Sequence, residues 1–443
     1  MTQLFGTDGI RGRAGTYPLD AGTVRRVGAA LIKALPHRNA RLLIGRDTRE
    51  SGDWIERELA YGARSAGADV HSLGVAPTPA VAYLTGSLRF DAGVVISASH
   101  NPFEDNGIKV FSGSGQKHGE HFEERIEEIV ADGSWHIPPG EARLVEHGEH
   151  LWKYLDHARA VLPEPGRLKP LRIAVDCANG AMTVVAPALF KGMGFDVTVL
   201  AAEPDGRNIN KGVGSTHPDL LADTVRGDGY RLGVAFDGDG DRAIFVDASG
   251  RVLDGDHIMF MCAKQMKAEG RLRGNAVVAT VMSNIGLELG LKNEDISLRR
   301  TAVGDKYVME EMQKQHLSLG GEQSGHLIFS EYLFTGDGLI TALSVLRTMA
   351  STGRELADLA DDLKTYPQVL KNVRVREKVD LKTIPQVESV IKKVEDRLSG
   401  QGRLLVRYSG TEPLVRVMLE GKDRNEIEAM ATEIVEALKA HLS

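Results

Sequence analysis

Cysteine is almost missing: the 443 residues hold two, Cys177 and Cys262, far apart in the chain. That excludes a disulfide framework and a cysteine-rich metal cluster. Both thiols are expected to be small buried hydrophobes, and their scarcity fits a reducing compartment. No apolar run is long enough to span a bilayer. The first residues, Met1-Thr2-Gln3-Leu4-Phe5-Gly6, offer neither a basic nor an apolar leader segment. A cytoplasmic protein without a membrane partner is therefore expected. Excess positive charge is also lacking. The net charge is −7, which argues against nucleic acid as a partner, because a protein that tracks phosphate backbones is basic. No P-loop is present, which removes a nucleotide-driven kinase.

What remains is an ordinary globular composition, 42% hydrophobic and 26% charged. Each of several domains can bury a core. Three segments share a rhythm of short apolar strands alternating with helical periodicity. The strands are expected at Leu42–Asp47 and Ala92–Ile96, at Arg172–Asp176 and Leu232–Phe236, and at Ala276–Thr280 and Leu317–Gly320. Near-continuous apolar strands between helices imply α/β domains with mainly parallel sheets. The last segment differs. It offers strands near Val373, Arg403–Arg407 and Leu414–Met418, then a helix from about Arg424 led by a capping box, Asp423 with Glu426. The expected fold is thus three similar α/β domains, 1–150, 151–253 and 254–366, plus a small α+β domain, 367–443.

Four motifs carry chemistry. Ser97-Ala98-Ser99-His100-Asn101-Pro102 follows the strand Ala92–Ile96, at the strand end where α/β sheets gather ligands. Asp237-Gly238-Asp239-Gly240-Asp241-Arg242 follows the strand Leu232–Phe236, and its glycines let three carboxylates turn toward one hard cation. It is no EF-hand, since Arg242 stands where that loop needs Gly and Ala248 where it needs Glu. In Gly320-Gly321-Glu322-Gln323-Ser324-Gly325-His326, a carboxylate and a hydroxyl two apart can grip vicinal sugar hydroxyls. In Arg407-Tyr408-Ser409-Gly410-Thr411-Glu412-Pro413-Leu414-Val415-Arg416, two arginines bracket a turn whose hydroxyls and N–H groups suit an anion. Each stretch can also be read as an ordinary turn. Glu146-His147-Gly148-Glu149-His150 fits no zinc spacing and reads as a solvated linker.

Taken together and in this order, with Lys109 downstream of the first motif, the four resemble the loops of the α-D-phosphohexomutases. Phe5–Gly12, Gly45–Arg49 and Thr301–Lys306 match that family as well, so the likeness runs from residue 5 to about 420. It implies that Ser99 is a phosphoserine that passes its phosphate to a sugar. It implies a Mg²⁺ ion held by Asp237, Asp239, Asp241 and the Ser99 phosphate. His100 and Lys109 would move protons, and Arg11 would neutralise phosphate. Glu322 and Ser324 would bind sugar hydroxyls. Arg242, Asp305, Lys306, Arg407, Ser409, Gly410, Thr411 and Arg416 would complete the substrate site. Tyr408 and Lys306 depart from the proline and arginine commoner at those places.

Gln323 and the stretch Asn208-Ile209-Asn210 to Gly214-Ser215-Thr216-His217 resemble the branch acting on glucosamine phosphates. The implied reaction is glucosamine 6-phosphate to glucosamine 1-phosphate through a 1,6-bisphosphate, feeding amino-sugar nucleotide and cell-wall precursor synthesis. Glucosamine 1,6-bisphosphate or glucose 1,6-bisphosphate would serve as activator. The alternative is a phosphomannomutase or phosphoglucomutase with relaxed preference at C2. The sole implied partner is a small sugar phosphate, and a homodimer is compatible. A binding protein without turnover is opposed by the intact Ser99, Lys109 and aspartate triad. A metal-dependent phosphatase would not need a sugar loop read in two orientations.

Overall fold

The computed structural model describes residues 4–442 apart from 7, 37–38, 141, 228, 378, 399, 401 and 409–413. Cα packing divides the chain into two compact units, Met1–Met282 with Ile296–Asp362, and Ser283–Asp295 with Leu363–Ser443.

The first unit holds three sheets. In the first the strand order is Phe5–Gly6, Gly9–Arg13, Asp105–Ser112, Ala92–Ile96, Arg41–Arg46, Asp69–Val75. In the second it is Val252–Leu253, Ala243–Asp247, Leu232–Phe236, Arg172–Asp176, Asp196–Leu200. In the third it is Ser297–Thr301, Ala276–Thr280, Leu319–Gly321, Leu327–Phe329. The α/β class is as expected, and each sheet contains parallel pairs. Each also closes on an antiparallel hairpin, so the sheets are mixed. The reason is connection length. Residues 97–104, 237–242 and 322–326 are too few for a crossover helix, so the chain must return beside the strand it left.

The strands that lead into these returns are deeply buried. Ala92–Ile96, Leu232–Phe236 and Leu319–Gly321 are buried at every position, which covers both faces and explains their unbroken apolar sequence. The last of them begins later than the expected Leu317. Leu317 N–H still donates to the carbonyl of Met312, ending the preceding helix, and Ser318 Oγ accepts from Arg273 N–H. Cys177 and Cys262 are both buried free thiols, as expected, and burial raises both pKa values, Cys262 to about 12.

The second unit is an antiparallel sheet, Gln368–Arg374, Leu414–Glu420, Arg403–Tyr408, covered by helices Pro385–Leu398 and Arg424–Leu442. Asp423 caps the last helix through the N–H of Glu426. The helix Ile285–Asn293 belongs to this unit, its first N–H donating to the buried Glu420 carboxylate. The helix Pro385–Leu398 was not anticipated in the sequence. Among the described residues no helix is long and apolar enough to cross a membrane.

One buried acid in the first unit has a testable signature. Asp337 caps the helix Gly338–Thr352 by accepting from Ile340 N–H at 3.0 Å and accepts from the buried Tyr154 hydroxyl at 2.9 Å. Burial pushes its pKa up to about 7. A folded-state pKa above the unfolded value means stability is full below about pH 4 and is lost as pH rises through about 7. Asn keeps both acceptor bonds without the charge. Asp337→Asn should therefore exceed wild type in thermal stability at pH 8, by the equivalent of about 2–4 kcal/mol, and the gain should shrink toward zero as pH falls to about 4. Equal Tm differences at both pH values would refute the buried-charge account.

Candidate active site

The three hairpin returns converge. Thr78 N–H donates to the Asp239 carbonyl and Gly338 N–H to that of Gly240. Ala243 N–H donates to Gly325, and Arg242 bridges to His326. The polar loops of three sheets thereby face one another.

The serine loop is strained and heavily braced. Ser99 sits at φ 53°, the left-handed region that costs a non-glycine residue on the order of 1–2 kcal/mol. Its N–H donates to Ser97 Oγ at 2.9 Å, and Ser97 donates to Asp47 at 2.6 Å. Ser97 Oγ thus bridges the loop backbone to Asp47. The fully buried Asp47–Arg49 pair sends the guanidinium to the carbonyls of Ser99 and Asn101, each at 2.9 Å. The result aims Ser99 Oγ, itself buried, at Asp237 Oδ2, to which it donates at 2.6 Å. His100 Nδ1 lies 3.3 Å from Ser99 Oγ. Burial, then Arg242 and Arg11, lower the His100 pKa to about 4, so its imidazole is neutral at pH 7.

Asp237, Asp239 and Asp241 are buried with carboxylate oxygens within 4.8 Å of one another. Gly240 at φ 74° turns the backbone between the last two. Burial, then Asp241 and Asp239, hold Asp237 well above the usual carboxylate range. Burial would raise Asp241 too, but Lys109 and His326 outweigh it and hold that carboxyl well below. The Lys109 ammonium lies 2.8 Å from Asp239, 3.1 Å from Asp241 and 3.3 Å from Asp8. Burial opposes its charge, yet these carboxylates keep it protonated. Among the described residues, Asp239 Oδ1 is buried without a hydrogen-bond donor, and Asp241 Oδ1 faces His326 at 3.5 Å. Three buried carboxylates, one with an unused oxygen, fit a hard divalent cation. His147, Glu149 and His150 also come within 4.8 Å of one another, but Glu149 is exposed and already bonded to His147, as a solvated linker would be.

Beside the triad lies a cavity of about 570 Å³, lined in part by Arg11, His100, Arg242, Asp305 and Glu322. Glu322 is fixed by Gly304 N–H at 3.2 Å. Asp305 pairs with Lys117, and Lys117 with Asp8. His326 stands 3.5 Å from both Asp241 and Asp305, and these anions raise its pKa to about 9 against the effect of burial.

Ser99, His100, Lys109, Arg11, Arg242, Asp305, Glu322 and the three aspartates are therefore gathered in one place. Ser324 is exposed and does not line the cavity. Lys306 points to Glu120 of a neighbouring helix at 3.1 Å and does not line it either. In the second unit Arg407 and Arg416 face each other across paired strands. Burial, then Arg416, lower the Arg407 pKa. Ser409, Gly410 and Thr411 lie outside the described residues. Asp8, Lys117 and His326 are site members that no role was expected for. Asp8 and His326 stood inside motifs already noted, whereas nothing around Lys117 marked it.

Four segments match the phosphoglucomutase/phosphomannomutase family. Its alpha/beta/alpha domains I, II and III match residues 2–136, 152–250 and 254–366, and its C-terminal domain residues 370–437. The chain is 49% identical over 442 residues to the phosphoglucosamine mutase of Solibacter usitatus, covering 99% of each chain. It is 46% identical to that of Geotalea uraniireducens, covering 100% of this chain and 99% of the relative. A Burkholderia thailandensis phosphoglucomutase/phosphomannomutase family protein shares the fold at TM-score 0.80 and 23% identity, with 99% and 98% covered. An Aspergillus fumigatus N-acetylphosphoglucosamine mutase, solved with GlcNAc-6P and magnesium, shares it at TM-score 0.64 and 20% identity, with 90% and 83% covered.

The triad predicts a cation-dependent stability. Millimolar Mg²⁺ or Mn²⁺ should raise the Tm of wild type and chelator should reverse it, since a ligand of the native state stabilises by about 2.7 kcal/mol at a hundredfold excess over Kd. In Asp239→Asn the rise should shrink to a small fraction. An undiminished rise would take Asp239 out of the cation site.

Proposed function

The chain belongs to the phosphoglucomutase/phosphomannomutase family, and on that premise we infer that it converts glucosamine 6-phosphate reversibly into glucosamine 1-phosphate. It is an isomerase working by phosphoryl transfer. The observation that carries the reaction type is Ser99 Oγ held 2.6 Å from Asp237 at the mouth of three convergent loops. The amino sugar follows from the phosphoglucosamine mutases to which the chain is related along its whole length. They favour it over glucose or mannose phosphates.

O6 and O1 of the sugar lie on opposite sides of the ring, so one phosphate cannot pass directly between them. In this reading phospho-Ser99 gives its phosphoryl group to O1 of the 6-phosphate. The P–O bond to Ser99 breaks as the P–O1 bond forms, and the O1 proton passes to a base. His100 suits that role, because its imidazole is neutral at pH 7 and close to Ser99 Oγ. The resulting 1,6-bisphosphate turns over, and its O6 phosphoryl group returns to Ser99 while O6 regains a proton. Lys109 was expected to move protons, but its carboxylate neighbours favour the protonated form, so in this reading it serves instead as a charge that, with Arg11 and Arg242, offsets negative charge around the transferring group. Glu322, and Ser324 beside it, would grip the O3 and O4 hydroxyls in either orientation. Asp305 would help to wall the cavity. Lys306 would need to leave Glu120 to reach substrate. Arg407 and Arg416, with Ser409, Gly410 and Thr411 between them, suit the phosphate that does not react.

Asp237, Asp239 and Asp241 would hold Mg²⁺, the oxygen-only donor set favouring that ion. Bound there, it would supply Lewis-acid charge to the phosphoryl oxygens. A trace of glucosamine 1,6-bisphosphate or glucose 1,6-bisphosphate would recharge enzyme that has lost its phosphate. Two buried free thiols support a reducing, cytoplasmic setting. The division at residues 150, 253 and 366 belongs to the same reading.

Intact-mass spectrometry of wild type should show one phosphate, mapping to Ser99 and absent in Ser99→Ala. Turnover of that variant should fall by at least about a thousandfold, since the carrier itself is gone. Phosphate found on Ser97 instead would overturn the assignment. Side-by-side assays with matching bisphosphate should give the highest kcat/KM on glucosamine 6-phosphate. A higher value on glucose or mannose 6-phosphate would restore the alternative.

A further inference from the structure

Asn210 lies more than a hundred residues from the serine loop in sequence, yet its side chain reaches that loop's backbone. Its Nδ2 donates to the Ser99 carbonyl at 2.9 Å and to the Asn101 carbonyl at 3.2 Å. These are the two carbonyls that Arg49 also holds. Asn210 is buried, stands at φ 57°, and is anchored by its own N–H to the Ala178 carbonyl at 2.9 Å. Ala178 and Asn179 are left-handed as well, at φ 55° and 48°. Backbone strain gathered in one place is commonly kept for a function. The aspartate loop closes on the same point. A Cβ at Gly238 would stand 2.6 Å from the Ser99 carbonyl oxygen and 2.8 Å from Asn210 Nδ2.

Arg49 therefore steadies the serine loop from within its own sheet, whereas Asn210, anchored on Ala178 and packed against Gly238, ties it to the sheet whose return carries the aspartates. We propose that Asn210 is a positioning residue for phosphoryl transfer. It holds the Ser99–Asn101 backbone in register with the aspartate loop while the sugar turns between the two half-reactions. The proposal rests on the reading of Ser99 as phosphate carrier. Both transfers use one oxygen of this protein and two of the sugar, so the protein oxygen is the fixed reference. A misplacement of the order of 1 Å costs about a hundredfold in rate. A loosened loop would fail in the second transfer too, leaving bisphosphate time to escape.

Two variants separate side chain from backbone. Asn210→Gly keeps the left-handed conformation and removes the donor. Asn210→Asp keeps the shape but turns an acceptor oxygen toward two carbonyls. For each, kcat per phosphorylated enzyme, KM for glucosamine 6-phosphate and free bisphosphate released per product formed are measured in saturating Mg²⁺. At least one variant that retains the wild-type fold should lose about 10- to 100-fold in kcat, keep KM within about twofold, and release several times more bisphosphate. Loss of fold lowers the active fraction but does not move the release ratio, so that readout remains decisive. Unchanged kcat and release in the folded variants overturn the proposal, as does a raised KM at constant kcat, which would make Asn210 a substrate contact. Wild type lacking phosphate on Ser99 would instead sink the carrier reading, and the two failures are thereby told apart.

Discussion

The buried ammonium of Lys109 is the interaction on which the site is built. Asp239 and Asp241 belong to the second sheet and Asp8 to the edge of the first, and all three lie within 3.3 Å of this one cation. Unpaired buried charge is prohibitively expensive, so neither partner can stay buried without the other. The need for pairing draws the loop ends of two sheets together. Lys117 then extends the network to Asp305, and His326 returns it to Asp241. Charges from three sheets form a closed ring around the cavity. Among the described residues the same ring leaves Asp239 Oδ1 without a donor, as a cation site requires.

Architecture supplies the convergence that electrostatics then locks. Each of the three sheets carries its chemistry in a tight return from a fully buried strand. A short return has little freedom, because both of its ends are fixed by ladder hydrogen bonds. Side chains placed there are held more firmly than on a long loop. The remaining freedom is removed from behind, by Asp47, Arg49 and Ser97 for the serine loop and by Thr78 for Asp239. Phosphoryl transfer is mainly a matter of position and charge, and the scaffold is rigid where that chemistry demands it.

Much of this was legible in residue order. Apolar runs such as Ala92–Ile96 and Leu232–Phe236 revealed the central strands because strands covered on both faces admit few polar residues. The Asp-Gly-Asp-Gly-Asp run announced its chemistry because three close carboxylates have few other uses. Ser99 stood out by its motif, although nothing local says that its φ is positive. The antiparallel returns were hidden, since hydrophobic pattern reports burial and not the direction of a neighbouring strand. The placement of the helix Ile285–Asn293 with the second unit was hidden for the same reason.

The residue string by itself determined the α/β class, the strand cores and the places of the serine loop, the aspartate triad and the Gly320–His326 loop. These are local properties, written in the periodicity and side-chain chemistry of neighbouring positions. Tertiary structure alone decided which charges meet. It turned Lys306 toward Glu120 and brought Lys117, which no pattern marked, between Asp8 and Asp305. It also carried the Asn210 amide across more than a hundred residues to the Ser99 carbonyl. Pairings of that kind depend on how separate sheets pack and on the cost of leaving a buried polar group without a partner, and neither is recorded in the order of residues along one strand.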